Sequence, residues 1–150
     1  MIGIRFLMID LDNTLAAYNE RKPAQTISEW TAGIKKGGIE MAIVSNSVRK
    51  GRVEEFADML GVGFVKGAHK PSPKSLLHLM RARGYKAGES ALIGDQIYTD
   101  VLAANLAKIV SIIVRPRRFT NPILAIRYAL EAPFRMLARR RGNTTGSRGA

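Results

Sequence analysis

The stretch LMIDLDNTLAAY, Leu7 to Tyr18, runs from a continuously apolar segment into two aspartates one residue apart, with Asn13 and Thr14 close behind. A short apolar run bounded by polar residues reads as a strand buried on both faces. Side chains two apart on an extended chain point the same way, so Asp10 and Asp12 share one pocket where that strand ends. Two carboxylates so placed repel each other, and a cation or open water has to offset the repulsion. The same residues also fit an Asx-type turn that merely ends a strand. A calcium-binding EF-hand loop does not fit, because Leu15 stands where that loop needs glycine and the preceding segment is not helical.

Working outward, short apolar runs alternate with helical patterns. IRFLMID reads as the first strand. TISEWTAGIKKGG reads as a helix that Thr26 and Glu29 could open as a capping box and that Gly37-Gly38 stop. EMAIVSN is the second strand, and VRKGRVEEFADMLG is a helix closed by Gly61. VGFVKG is a short third strand, and Pro73 opens a helix that runs to about Arg83. SALIGD, YTDVLAANLAK and IVSIIVRP complete the series as strand, helix and strand. Strands that are apolar throughout, separated by helices, predict a doubly wound α/β domain with a five-stranded parallel sheet.

Ligands of such sheets bind beyond the carboxyl ends of the strands. Asp10, Asp12, Ser45, Asn46 and Asp95 all fall at those ends, and Asp100 follows shortly after. Three or four carboxylates converging from two strands suit a hard cation with oxygen ligands, Mg²⁺ above all. Each residue also has a plainer reading. Ser45 suits an ordinary strand end, Lys70 competes with Lys66 and Lys74, and Asp100 suits the first turn of a helix, where a carboxylate faces the helix dipole favourably.

Four segments in order resemble the haloacid dehalogenase superfamily of aspartate-based phosphatases. DLDNTL matches the first motif, DxDxT. IVSNS matches the second, a strand ending in Ser or Thr. AHKPSP matches the third, a lysine followed by proline, and IGDQIYTD matches the fourth, GDxxxxD. The resemblance covers roughly residues 4–115 and implies a Rossmann-like phosphatase fold. It implies Asp10 as the nucleophile that forms an aspartyl-phosphate. It implies Asp12 as the acid that protonates the leaving oxygen and then the base for the hydrolytic water. Thr14 would steady the loop and contact phosphate, with Ser45 and the Asn46 amide. Lys70 would neutralise charge on the phosphoryl group. Asp95 would hold Mg²⁺ together with Asp10 and the Asp12 carbonyl, and Asp100 would support the metal site or orient Lys70.

Family members often insert a cap domain between these motifs. Thr14 to Ser45 leaves 30 intervening residues and Ser45 to Lys70 leaves 24, each largely used by one core helix, so no cap is expected. An open site suits a phosphate carried by something large, a protein, a nucleic-acid end or a lipid; a small metabolite fits where an oligomer supplies the cover. The short core, the GDQIYTD form of the fourth motif and the basic tail resemble the YqeG-type branch of subfamily IIIA. That branch is similar to the phosphatidylglycerophosphate phosphatases, which implies a membrane-borne lipid phosphate as substrate. AAYNE stands where that branch usually carries a more apolar stretch.

The chain of 150 residues suits one compact catalytic domain, expected over residues 1–118. It has no cysteine, which excludes disulfides and thiolate chemistry. No apolar run approaches the ~18 residues of a membrane span, and MIGIRFLMID does not read as a signal peptide, so a cytoplasmic setting is expected. The net charge of +12 is uneven: residues 1–114 carry 15 basic and 11 acidic residues, residues 115–150 carry nine arginines and one glutamate. Ile123, Ile126, Leu130, Phe134 and Leu137 follow helical spacing among those arginines, with Pro133 interrupting. Residues 119–141 therefore read as a basic amphipathic helical segment and 142–150 as a disordered end. Such a segment either lies on an anionic membrane, here the inner face, or packs its apolar side on the domain. A non-catalytic protein that binds RNA or the ribosome through the tail is the competing class, although the aromatic-interleaved motifs of RNA-binding modules are absent.

Overall fold

The structure, a computed structural model, describes residues 3–115. The segments 119–141 and 142–150 lie outside the described residues. The chain forms β1 (Phe6–Ile9), α1 (Gln25–Lys36), β2 (Glu40–Val44), α2 (Arg52–Leu60), β3 (Gly63–Val65), α3 (Lys74–Arg83), β4 (Ser90–Gly94), α4 (Leu102–Leu106) and β5 (Val110–Ile113). All four strand pairings are parallel, in the order β3-β2-β1-β4-β5.

The alternation of side chains along each strand divides the core in two. Phe6 and Met8 of β1, Ala42 and Val44 of β2 and Leu92 of β4 face Leu76, Leu79 and Met80 of α3 and Ala103 and Ala104 of α4. Leu7 and Ile9, Met41 and Ile43, and Ala91 face the opposite way, toward Val53, Phe56, Ala57 and Leu60 of α2, with Ile27 and Ile34 of α1 packed alongside. A sheet covered on both faces needs strands apolar in both registers, which is why these runs show no polar alternation. No inserted cap domain is present among the described residues.

β1 is central. The chain leaves it toward β2 and β3 on one side, then crosses to β4 and β5 on the other. The carboxyl end of β1 is thus the point where the winding reverses, the place such sheets leave open for a ligand. Asp10 sits there, its amide bonded to the Ile93 carbonyl of β4 at 2.9 Å.

Three local expectations are corrected. α1 begins at Gln25, after an extended Ala24 that offers no side-chain cap, so Thr26 is inside the helix and Glu29 instead accepts from Gln25 Nε2 at 2.7 Å. α2 starts at Arg52 rather than Val48, because Gly51 takes a left-handed φ of 79° that cannot continue a helix. The helix expected from Tyr98 begins instead as a wide turn over Ile97–Val101, in which the Val101 amide reaches five residues back to Gln96, followed by the short α4.

The two-sided core predicts a sharp contrast between strands. Leu92 is 1% exposed at the centre of the sheet and Phe64 is 41% exposed on edge strand β3. Leu92→Ala should cost about 2–5 kcal/mol in urea unfolding, as buried leucines do. Phe64→Ala should cost less than ~1.5 kcal/mol, well below the loss from a buried aromatic.

Candidate active site

Four strand ends and loops bring the predicted residues to one place. Lys70 arrives on the loop between β3 and α3, its side chain 1% exposed. Its Nζ donates at 2.7 Å to Asp10 Oδ1 and at 2.7 Å to Asp100 Oδ1. The rival lysine Lys66 is paired with Glu54 on the surface, so Lys70 alone of the two faces the acidic pocket. The loop carrying Lys70 is held by Asn46: its Oδ1 accepts from the Lys70 amide at 2.7 Å and its Nδ2 donates to the Lys70 carbonyl at 2.8 Å. Ser45 is buried, and its Oγ accepts from the Ser47 amide at 3.0 Å, shaping the turn after β2.

Asp100 hangs from the wide turn after β4. Its Oδ2 accepts from the Gln96 amide at 3.1 Å, so it both caps its own turn and grips Lys70. The two plainer and sharper readings of Asp100 therefore coexist. Gly94 makes this possible: a Cβ there would stand 2.2 Å from Asp100 Cγ, which no side chain tolerates. The glycine of GDQIYTD is a space requirement, not a turn requirement.

Asp10, Asp95 and Asp100 are buried, and one carboxylate oxygen from each lies within 4.8 Å of the others. Thr14 Oγ1 makes a long 3.5 Å contact with Asp95 Oδ1, linking the β1 loop to the end of β4. The Lys70 ammonium pairs with two of these carboxylates, Asp10 and Asp100. Burial raises the Asp10 carboxyl from its usual 3.8 to about 7; Lys70 pulls it back down, while Asp100 and Asp95 push it further up. Burial works against the Lys70 charge, yet Asp10 and Asp100 outweigh it and hold the ammonium above its ordinary range. An all-oxygen donor set of three converging carboxylates fits a hard divalent cation.

Asp12 behaves differently. Its side chain is 20% exposed and stands outside the acidic cluster, with Oδ1 held by Arg52 through Nε at 3.0 Å and Nη2 at 2.9 Å. Arg52 also donates to the carbonyls of Ala17 and Glu20 and lies over the Phe56 ring. Sequence reasoning placed Arg52 only within a helix; no local signal marks it, since its partners lie 32 to 40 residues earlier. Beside it a cavity of about 270 Å³ is lined by Arg21, Arg49, Lys50, Arg52, Glu55 and Phe56.

Residues 4–108 match the haloacid dehalogenase-like hydrolase family, and the chain belongs to that family. Among proteins, it is 34% identical over 114 residues to "Probable phosphatase YqeG" of Bacillus subtilis (strain 168), a match covering 76% of this chain and 66% of that one. Among solved structures, it resembles the cobalt-bound deoxy-D-mannose-octulosonate 8-phosphate phosphatase of Haemophilus influenzae, with a TM-score of 0.61, 21% identity, and 73% of this chain and 67% of that one covered. It also resembles the 3-deoxy-D-manno-octulosonate 8-phosphate phosphatase of Moraxella catarrhalis in complex with magnesium ion, phosphate ion and KDO. That likeness has a TM-score of 0.55 and 22% identity, over 64% of this chain and 60% of that one. At these identities the two structures show the shared fold.

Two measurements check the site's physics. Gly94→Ala should destabilise the domain by about 1–3 kcal/mol through forced displacement of Asp100, whereas Gly88→Ala, with nothing within 4 Å of its added Cβ, should be close to neutral in the same denaturation assay. The second concerns pH in metal-free protein with EDTA. Because Asp10 titrates near 7 when folded and at 3.8 ordinarily, the folded state binds the extra proton between those values. Its contribution to stability is fully present below 3.8 and is lost as pH rises through about 7. Asp10→Asn should therefore be more stable relative to wild type at pH 8 than at pH 4.

Proposed function

We propose that the chain is a Mg²⁺-dependent phosphomonoesterase that works through an aspartyl-phosphate on Asp10, acting on a large or membrane-borne substrate, with phosphatidylglycerophosphate the best single candidate. The observation that carries the hydrolytic reading is the buried Asp10 carboxylate, held by Lys70 at 2.7 Å at the reversal point of the sheet, beside two further carboxylates. The relative from Bacillus subtilis, "Probable phosphatase YqeG", supports the same class.

In this reading an oxygen of Asp10 attacks phosphorus in line, and Asp12 gives a proton to the departing oxygen. Water then releases phosphate from Asp10, its proton taken by Asp12. Lys70, Ser45 and the Asn46 amide bind the phosphoryl oxygens, whose transition state calls mainly for positioning and charge stabilisation. Asp10, Asp95 and the Asp12 carbonyl would hold Mg²⁺, with Asp100 in support. When bound, the cation supplies positive charge against the transferring phosphoryl group. Asp100 keeps Lys70 aimed at Asp10, and Thr14 ties the nucleophile loop to Asp95.

Three features support the substrate. The site carries no inserted cap among the described residues, so a bulky or surface-bound phosphate can reach it. The cationic cavity beside Asp12 suits a second anionic group, and phosphatidylglycerophosphate carries a phosphodiester beyond its terminal phosphomonoester. Nine arginines in residues 115–150 favour an anionic surface such as the inner face of a membrane. No helix among the described residues is long and apolar enough to cross a membrane, so contact with lipid would be peripheral.

The test is a substrate panel assayed with Mg²⁺ or with EDTA, for wild type and Asp10→Asn. Phosphate release should require Mg²⁺ and fall at least ~1,000-fold in Asp10→Asn, the scale of a lost nucleophile. Phosphatidylglycerophosphate in anionic vesicles should exceed soluble sugar phosphates in kcat/KM. Near wild-type turnover in Asp10→Asn would end the mechanism; preference for a sugar phosphate would end the lipid reading alone.

A further inference from the structure

Arg52 is the first residue of α2, and its side chain is 9% exposed. One guanidinium there contacts the Asp12 carboxylate and two carbonyls of a single later turn. Nε and Nη2 converge on Asp12 Oδ1 at 3.0 and 2.9 Å. Nη2 also donates to the Ala17 carbonyl at 3.0 Å, and Nη1 donates to the Glu20 carbonyl. The flat face of the group rests 5.0 Å from the Phe56 ring centre, which fixes its plane. Ala17 to Glu20 form a turn of their own, closed by the Glu20 amide on the Ala17 carbonyl at 3.0 Å and by the Ala17 amide on Glu20 Oε2 at 2.9 Å. Arg49 secures the middle of the same turn through the Tyr18 carbonyl at 3.1 Å.

Fastening the turn to α2 would need only the two carbonyl contacts. The carboxylate contact does something else. The Nε–H donates to Oδ1 and Nη2 stands close to the same oxygen, which anchors Oδ1 and leaves Oδ2 as the oxygen that can carry a proton. Asp12 is also more exposed than Asp10 and Asp100, its side chain 20% accessible.

We propose that Arg52 is a positioning residue for proton transfer: by holding Oδ1 of Asp12 against α2, it presents Oδ2 to the leaving-group oxygen of the phosphate ester. The inference rests on the reading of Asp12 as proton donor. In the first step the Asp10 oxygen–phosphorus bond forms and the phosphorus–alkoxide bond breaks. The proton on Asp12 Oδ2 passes to the departing oxygen, which leaves as a neutral alcohol. Asp12 remains as a carboxylate against the guanidinium. In the second step a water oxygen bonds to phosphorus, the Asp10–phosphorus bond breaks, and the water proton returns to Asp12. Lysine would preserve the charge at position 52 but not the pair of N–H groups in one plane, so it should not replace arginine.

Esters of different leaving groups test this. Loss of 4-nitrophenolate needs little help from an acid, whereas loss of an alkoxide depends on it. kcat/KM is the parameter to compare, because it reports the steps through departure of the leaving group and is blind to later hydrolysis of the aspartyl-phosphate. Wild type, Arg52→Ala, Arg52→Lys and Asp12→Asn are assayed with Mg²⁺ on 4-nitrophenyl phosphate and on glycerol 3-phosphate. Arg52→Ala should lower kcat/KM for glycerol 3-phosphate at least ~10-fold more than for 4-nitrophenyl phosphate, a part of the full general-acid effect. Asp12→Asn should show the same imbalance, larger. Addition of millimolar guanidinium to Arg52→Ala should restore the alkyl ester preferentially. Should the alanine variant not fold, Arg52→Lys should show the same imbalance at smaller size. Equal losses on both esters at position 52, with an imbalance in Asp12→Asn, would overturn the role of Arg52 and leave Asp12 as the acid. Equal losses in Asp12→Asn would remove the proton-donor reading and this proposal with it.

Discussion

The Lys70 ammonium stands between two buried carboxylates, Asp10 and Asp100, at 2.7 Å from each. Most of the site's geometry depends on that bridge. A buried charge left alone is costly, and the bridge pairs the ammonium with two of the cluster's three crowded carboxylates. The fold accommodates this through contacts made elsewhere. The Asn46 side chain clasps both sides of the Lys70 peptide, the Gln96 amide holds the second oxygen of Asp100, and Gly94 gives Asp100 the space to approach. Asn46 follows β2 while Gln96 and Gly94 stand at the end of β4, so the bridge closes only when those strands are assembled.

That crowding has a chemical consequence. A carboxyl pushed up to about 7 by burial and by its neighbours is only partly ionised near neutral pH. In the proposed reaction, a cation held beside Asp10 would favour its ionised form.

The two faces of the β1 loop divide the labour. Asp10 turns inward to the carboxylate cluster, while Asp12, two residues on, turns to the guanidinium of Arg52 at the open edge. Their surroundings are opposite in kind: one is crowded by like charge and dry, the other paired with a cation and partly wet. Two carboxylates of one motif can take different roles when the environment separates them in this way.

Much of this protein was legible in the chain itself. The order of elements, the two-sided burial of the strands, the parallel doubly wound sheet and the gathering of Asp10, Ser45, Lys70 and Asp95 at one edge all follow from hydrophobic period and from motifs at strand ends. These are local properties: a few residues decide whether a segment is buried on both faces and where it stops. The exact start of α2, the wide turn under Asp100, the clasp of Asn46 on Lys70 and above all the contact of Arg52 with Asp12 were not legible. The last two join residues 24 and 40 positions apart, and an arginine in a surface-like helix pattern looks the same whether it meets water or a carboxylate of the site. Only the packing of α2 against the sheet, with Phe56 beneath the guanidinium, decides which.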